Sequence, residues 1–474
     1  MQDGRLFIAG EWTACATTQP VLDKYMGSEI GRVGIAEPAQ VDAAVAAARE
    51  AFVHRTLSPY RRYEVLMRAA AGLERRRDEV LRALSGETGF TMTDARNDFG
   101  RSMQTLYQSA EEAKRIVGEM IPIQGAPGQS DERLAFTLRL PIGVVCAITP
   151  FNSPLNTVLH KIAPAIAAGN AVVLKPATYT PLCAVILCEI FEEAGLPAGL
   201  LNMVIGGGGT VGQQLLEHEG IDYYTFTGST EVGRVIQQAA GLRRTQLELG
   251  NISSTIICED AALDVAAGKC ANAAFRKAGQ VCTSVQRILV DERVVDRFAD
   301  LLVEATAALP VGDPRADDTV VGPMIDEREA VRAEAWVNEA IAGGARALTG
   351  VRREGPVLWP VILRDVGPEM SVVCAEVFAP IVSMVPVPGL DAAIDMANDT
   401  PFGLAGGIFT SDITRALSVI RRLRMGNVHV NDTSSSRVDL MPYGGLKDSG
   451  FGREGPRFAI HDMTEERLIT LNPI

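Results

Sequence analysis

"GVVCAITPFNSPLNTVLHKIAPAIAAGNAVVLKP", Gly143 to Pro176, decides the fold. Two short apolar runs, "GVVCAIT" and "AVVLKP", flank a segment, 154 to 168, whose apolar residues recur at helical spacing. The same alternation continues through a helical stretch at 180 to 195, "LNMVIG", a helical stretch at 210 to 218, "YYTFTGS" and a helical stretch at 230 to 240. Repeated strand–helix units of this kind imply a parallel, doubly wound sheet.

Working outward, Pro38 to Ile116 reads as cover helices, with apolar residues three and four apart among charges. After the turn-rich "IPIQGAPGQS", alternation in "RLAFTLRLPIGVV" predicts a hairpin or an excursion of strands away from the domain body. Beyond "LELG" a second α/β pattern begins, with "SSTIICED", "QRILV", "IVSMVPV", "GGIFTSD" and "GNVHVND", and the chain ends in the strand-like "EERLITLNPI". No internal repeat is visible. The expected fold class is therefore α/β: two dissimilar, doubly wound, Rossmann-like lobes and a small β element.

Composition narrows the function. The 474 residues are enough for two or three domains with substantial cores, and 47% apolar with 22% charged residues is ordinary for a globular protein. A formal charge of −13 argues against general affinity for nucleic acid or anionic membranes, so an anionic substrate needs a local Arg or Lys. The eight cysteines include no C-x-x-C pair and no Cys/His cluster of zinc spacing, so no metal site is expected. Cys146, Cys183, Cys188 and Cys258 sit in apolar company and read as core thiols, which suits a reducing, cytoplasmic location. No basic leader and no run of 18 apolar residues is seen, so no membrane span is expected.

Cys282, in "KAGQVCTS", stands apart. A thiol packs as a small apolar group or acts as a nucleophile, and its partners decide between the two. Asn152 follows a buried strand in "ITPFNSP", where a carboxamide is either a turn residue or a neutral donor to an oxyanion. Glu248 in "QLELGN" is flanked by leucines, and a carboxyl buried there has its pKa raised toward that of a general base. Strand ends at Lys175 and Thr227 precede helices, the usual place for a dinucleotide in such sheets. The run "GGGGTVG", Gly206 to Gly212, lacks G-x-G-x-x-G spacing and reads equally as a flexible loop.

"VLKPAT", "FTGSTEVG", "LELG", "GQVCTS", "AEVFAP", "PFGLAGGIFT" and "MPYGGLKDSGFGREG" occur in the order and at roughly the spacings of the NAD(P)-dependent aldehyde dehydrogenase superfamily, and the resemblance covers essentially the whole chain. It implies an aldehyde dehydrogenase-like fold with 1–118 and 140–249 as the dinucleotide-binding domain, 250–445 as the catalytic domain, and 119–139 with 446–474 as the bridging element of a homodimer or homotetramer. It implies Cys282 as nucleophile, Glu248 as base, and Asn152 with the Cys282 amide as oxyanion hole. Thr149, Phe151, Lys175, Thr178, Gly208, Gly212, Phe226, Gly228, Ser229, Val232, Leu249, Glu376 and Phe378 are the implied NAD or NADP contacts. The implied reaction oxidises a small-molecule aldehyde to its carboxylate through a thiohemiacetal and a hydrolysed thioester. A CoA-acylating semialdehyde dehydrogenase shares the nucleophile but lacks the hydrolytic base, and Glu248 argues against it. A non-catalytic protein on this fold would have no use for the intact set.

The departures carry information. "LELGGK" of the family reads "LELGNI", and "FGP" reads "FAP" with Ala379. Thr178 stands where NAD-preferring members often have Glu, so NADP is permitted or favoured, unless Thr178 merely caps the next helix. His160 and "VNDTSSSRVDLMPYGG" resemble the lactaldehyde, phosphonoacetaldehyde and non-phosphorylating glyceraldehyde-3-phosphate dehydrogenase branch, which acts on small, polar or anionic aldehydes. His160, Val281, Thr283 and Arg437 are the expected substrate contacts. Arg101 and Arg287 are further cationic candidates, while Val281 precedes the nucleophile where an Arg would help bind a phosphonate.

Overall fold

Val144–Ile148 is a central strand of an eight-stranded sheet because its residues offer apolar side chains to both faces. It runs parallel to Ala171–Lys175 on one side and to Tyr223–Thr227 on the other. The computed structural model, which describes residues 4–472, places the strands from one edge as Glu11–Ala14, Arg5–Ile8, Leu201–Met203, Ala171–Lys175, Val144–Ile148, Tyr223–Thr227, Arg244–Glu248 and Gly450–Phe451. The chain therefore leaves Val144–Ile148 in one direction and returns on its other side. That reversal opens a crevice at the carboxyl ends of Val144–Ile148 and Tyr223–Thr227.

The second sheet has seven strands, ordered Arg346–Ala347, Val361–Arg364, Ile381–Val387, Arg287–Asp291, Ser254–Ile257, Ala405–Phe409 and Asn427–Val430. All neighbours are parallel except the first pair. Each sheet has its own apolar core. The alternation in "RLAFTLRLP" belongs to the strand Leu134–Pro141, which pairs antiparallel with the distant Thr464–Leu471, Leu134 opposite Leu471 and Pro141 opposite Thr464. Between them these strands expose Leu134, Leu138, Leu468 and Leu471.

Some boundaries differ from the sequence reading. The helix expected from 180 starts at Leu182, behind Pro181, so Thr178 does not cap it. The helix expected over 210–218 is a wide turn, Gly208–Gly212, followed by the short helix Gln213–Glu217. The segment 446–474 divides: Gly450–Phe451 closes the first sheet beside Leu247 and Glu248, Pro456–Asp462 is a helix, and Thr464–Leu471 alone pairs with Leu134–Pro141.

Gly450 is the tight point of that closure. Its φ is +99°, and a Cβ there would overlap the Leu247 carbonyl, one residue before Glu248. Gly450→Ala should lower stability by roughly 2 kcal/mol or more. A thermal-unfolding midpoint equal to that of the wild type would refute the steric reading.

Candidate active site

A groove of about 490 Å³ occupies the crevice. Of the expected residues it gathers Thr149, Phe151, Asn152, Lys175, Gly208, Phe226, Gly228, Ser229, Val232, Glu248, Leu249, Cys282, Glu376 and Phe378. Gly228 has no room for a side chain, because a Cβ would enter the Phe226 ring. Ser229 starts the helix Thr230–Ala240, its hydroxyl accepting from the Val232 N–H at 3.4 Å. Phe151 meets Phe378 edge-on at 5.9 Å between ring centres and Tyr179 at 6.4 Å, making an aromatic wall. The Thr149 hydroxyl and Glu248 Oε1 are buried without a hydrogen-bond partner among the described residues. An elongated groove with an aromatic wall, a helix N-terminus and free polar valences fits a nicotinamide dinucleotide. Gly212 and Thr178 do not line it; Thr178 faces a neighbouring cavity with Tyr25 and Arg328.

The loop bearing Cys282 is wound against its preference. Lys277, Ala278 and Gly279 have φ of 52°, 51° and 70°, and two non-glycine residues in this region cost about 1–2 kcal/mol each. Buried polar contacts hold the turn. The Lys277 N–H donates to Asp94 Oδ2 at 3.1 Å, and Lys277 Nζ donates to Asp98 Oδ1 at 3.0 Å and to the Asn152 carbonyl at 3.4 Å. Gln280 Oε1 accepts from the Ile325 N–H, and its carbonyl accepts from Asn152 Nδ2 at 2.9 Å. One N–H of the Asn152 carboxamide is thus anchored, leaving the second to face a ligand. Asp98 also receives the Ser153 hydroxyl and the Asn156 N–H. Although burial opposes its charge, Lys277, the Ser153 hydroxyl and Arg101 together outweigh burial and keep Asp98 ionised.

Electrostatics sets the protonation states. Burial, then repulsion from Glu454, pushes Glu248 up to about 8. Burial and Glu248 likewise push the Cys282 thiol well above its ordinary range. Glu376, buried and accepting from the Asn251 N–H at 2.9 Å, rises to about 7. The departure at Asn251 is accommodated within the site: its Nδ2 donates to Ser253 at 2.6 Å, and its Oδ1 accepts from the Leu404 N–H. Lys161, fully buried, donates to Glu454 and Thr225 at 3.2 Å each.

On the far side of Cys282 lies a small polar chamber of about 50 Å³. It shares Asn152, Thr227, Glu248 and Cys282 with the groove and adds Val281, Thr283, Arg101, Arg276, Arg437 and Tyr443. A vestibule of about 760 Å³ leads to it, lined by Arg101, Arg276, Ser435 and Arg437 among others, and has no lining residue in common with the groove. Two of the three guanidiniums already have a carboxylate partner. Arg101 grips Asp439 with two bonds, 3.0 and 2.7 Å, and Arg437 pairs with Glu454 at 2.8 Å. Arg276 bonds the Ser435 hydroxyl at 2.6 Å and has no carboxylate at ion-pair distance among the described residues. His160 does not line the chamber; it lies one layer behind, 2.8 Å from Asp439 and 3.4 Å from Arg437. Arg287 is remote from the site, on its strand beside Ser254. Sequence reasoning missed Arg276, although it sits in "FRKAGQVC", and missed the buried partners Lys161, Lys277, Asp98, Tyr443 and Glu454.

The groove and thiol define a nucleotide-dependent enzyme with a cysteine at its centre. The aldehyde dehydrogenase family profile matches residues 12–469, and the chain belongs to that family. The 3-sulfolactaldehyde dehydrogenase of Priestia aryabhattai is 47% identical over 467 residues, 98% of each chain. Aldehyde dehydrogenase 21 from Physcomitrella patens, solved with the reaction product succinate, is 35% identical with a TM-score of 0.96, covering 99% of this chain and 98% of that one. The NADP-dependent glyceraldehyde-3-phosphate dehydrogenase from Bacillus halodurans, solved with NADP, is 33% identical with a TM-score of 0.97 over 99% of each chain. The protein is an oxidoreductase acting on aldehydes with NAD or NADP.

Removing one partner of the Lys277–Asp98 pair leaves a buried charge. Lys277→Met should cost about 3–5 kcal/mol of stability, and adding Asp98→Asn should recover part of that loss. Strictly additive losses in denaturant unfolding would show that the two residues are not coupled.

Proposed function

We propose that the protein oxidises a short aldehyde bearing a terminal anionic group, best represented by a sulfonate, to the corresponding carboxylate. The carrying observation is the unpaired Arg276 guanidinium at the chamber that Cys282 lines. Arg101 and Arg437 already have carboxylate partners, so Arg276 is the guanidinium of the chamber left to bind an anion. A chamber of about 50 Å³ favours a chain of few carbons. The 47% identity to a 3-sulfolactaldehyde dehydrogenase supports the same substrate class.

In this reading Lys175, Phe226, Gly228, Ser229, Glu376 and Phe378 hold the dinucleotide. Its nicotinamide supplies the hydride acceptor. Cys282 adds to the aldehyde carbon, the carbonyl π pair moves to oxygen, and the anchored Asn152 carboxamide with the Cys282 amide donates to that oxyanion. Oxidation leaves the acyl group on Cys282 as a thioester. Glu248 takes a proton from the water that attacks it. Lys175, which lines the groove, is the cation available to a 2′-phosphate, so NADP serves as well as NAD.

The wider assignments belong to the same proposal. Residues 1–118 and 140–249 bind the dinucleotide, 250–445 carry the nucleophile, and 119–139 with 446–474 bridge to a second copy. The pair Leu134–Pro141 and Thr464–Leu471 supports this, since two strands with exposed leucines gain from further pairing. The described cysteines are all free, which supports a cytoplasmic location. Among the described residues no helix is long and apolar enough to cross a membrane, and no cluster of metal-ligating side chains is found.

Steady-state kinetics with 3-sulfolactaldehyde and uncharged lactaldehyde tests the substrate class. Arg276→Gln should lower kcat/KM for the sulfonate about a hundredfold and change the uncharged aldehyde by less than about threefold. Equal losses for both would remove Arg276 as the anion anchor. Hydrolysis-limited turnover should rise with pH through about 8 as Glu248 loses its proton. Glu248→Gln should keep a rapid burst of reduced cofactor but turn over slowly at every pH; absence of the burst would place Glu248 before the thioester.

A further inference from the structure

We propose that Tyr443 is a catalytic hydrogen-bond donor to Cys282, orienting the sulfur and raising the fraction of it that ionises before the aldehyde arrives. The inference rests on Cys282 being the nucleophile and is independent of the aldehyde's charge. The Tyr443 hydroxyl lies 3.0 Å from Cys282 Sγ, close for a contact to sulfur, and the phenol is only 3% exposed.

Position and polarity are both fixed by neighbours. Tyr443 and Glu454 exchange backbone hydrogen bonds of 3.1 and 2.7 Å, so the ring is registered against the residue that holds Lys161 and Arg437. A side chain at Gly445 would lie 2.5 Å from the Ser449 Cβ, which leaves the turn after Tyr443 no slack. The Arg437 guanidinium lies 3.7 Å from the ring centre, withdrawing electron density from the phenol while Glu454 fixes it there. Burial, Cys282 and Glu248 keep the phenol protonated, so once the sulfur ionises the hydroxyl donates and the sulfur accepts.

The sulfur needs such a donor. Its charged and titratable neighbours are Glu248, Glu376, Tyr443, Arg437 and Arg276. Burial and the two carboxyls oppose ionisation, whereas the Tyr443 hydroxyl and Arg437 favour it. On ionisation the thiol proton passes to water, and Tyr443 keeps its own. A sulfur lone pair then forms the S–C bond as the carbonyl π pair moves to oxygen. As charge leaves the sulfur the hydrogen bond weakens, so the donor raises the thiolate population at some expense in the nucleophilicity of each thiolate.

The test is the pH dependence of inactivation by iodoacetamide, measured on substrate-free, full-length enzyme carrying Cys374→Ser to remove the exposed thiol. Adding Tyr443→Phe should move the midpoint up by about one pH unit, making inactivation roughly tenfold slower at pH 7. On the alkaline plateau the variant should react at least as fast as its parent. Identical midpoints, or one constant loss at all pH values, would overturn the proposal and leave Tyr443 a packing residue. A parent enzyme that iodoacetamide does not inactivate at any pH would overturn both this inference and Cys282 as nucleophile. Unchanged cofactor affinity in Tyr443→Phe is the expected control, since Tyr443 does not line the groove.

Discussion

A single buried carboxylate, Asp98, ties the two halves of the site together. It lies on the helix Met92–Ala113 of the first lobe and receives Lys277 of the second, while also accepting from Ser153 and Asn156 next to Asn152. An unpaired charge at such depth is prohibitive, so each lobe is stable at this point only with the other docked. The left-handed turn through Lys277 and Ala278 follows from it. Without that turn the thiol would not meet Asn152 and Glu248, and strain in the loop is stored where the proposed chemistry asks for a fixed thiol.

The strands were legible because parallel strands covered on both faces must be continuously apolar, as "VVCAI" and "AVVLK" are. The lining of the groove was legible for a related reason: it is assembled from short motifs at strand ends, where local sequence dictates a turn and a helix start. The lining of the chamber was not. Arg276, Arg437 and Arg101 look alike in sequence, and only the folded arrangement shows that Asp439 and Glu454 are committed to the latter two. His160 was read as a substrate contact because its type and place suited one, yet it serves Asp439 from behind. Pairings that cross most of the chain, such as Lys161 with Glu454 or Leu134 with Leu471, leave no local trace.

Charge is graded across the centre rather than balanced residue by residue. Glu454 stays ionised despite its burial because Lys161 and Arg437 outweigh it, and burial, then the charge of Glu454, keeps the proton on Glu248. Asp439 is held ionised against burial in the same manner, by His160 and Arg101. The two carboxyls that oppose ionisation of the thiol, Glu248 and Glu376, are both pushed up by burial. Neutral departures such as Asn251 fit this pattern, since they occupy hydrogen-bonding positions without adding charge where the gradient is set.

The groove and the vestibule share no wall and communicate only around Cys282, Asn152, Thr227 and Glu248. Each therefore has its own mouth to solvent. If, as proposed, the dinucleotide occupies the groove and the aldehyde enters by the vestibule, a molecule seated in one does not bar the exit of a molecule seated in the other, and sterics do not set which product departs first. The order of departure is left to the relative lifetimes of the two complexes, and a change in the strength of either site can reverse it without altering the path of the other.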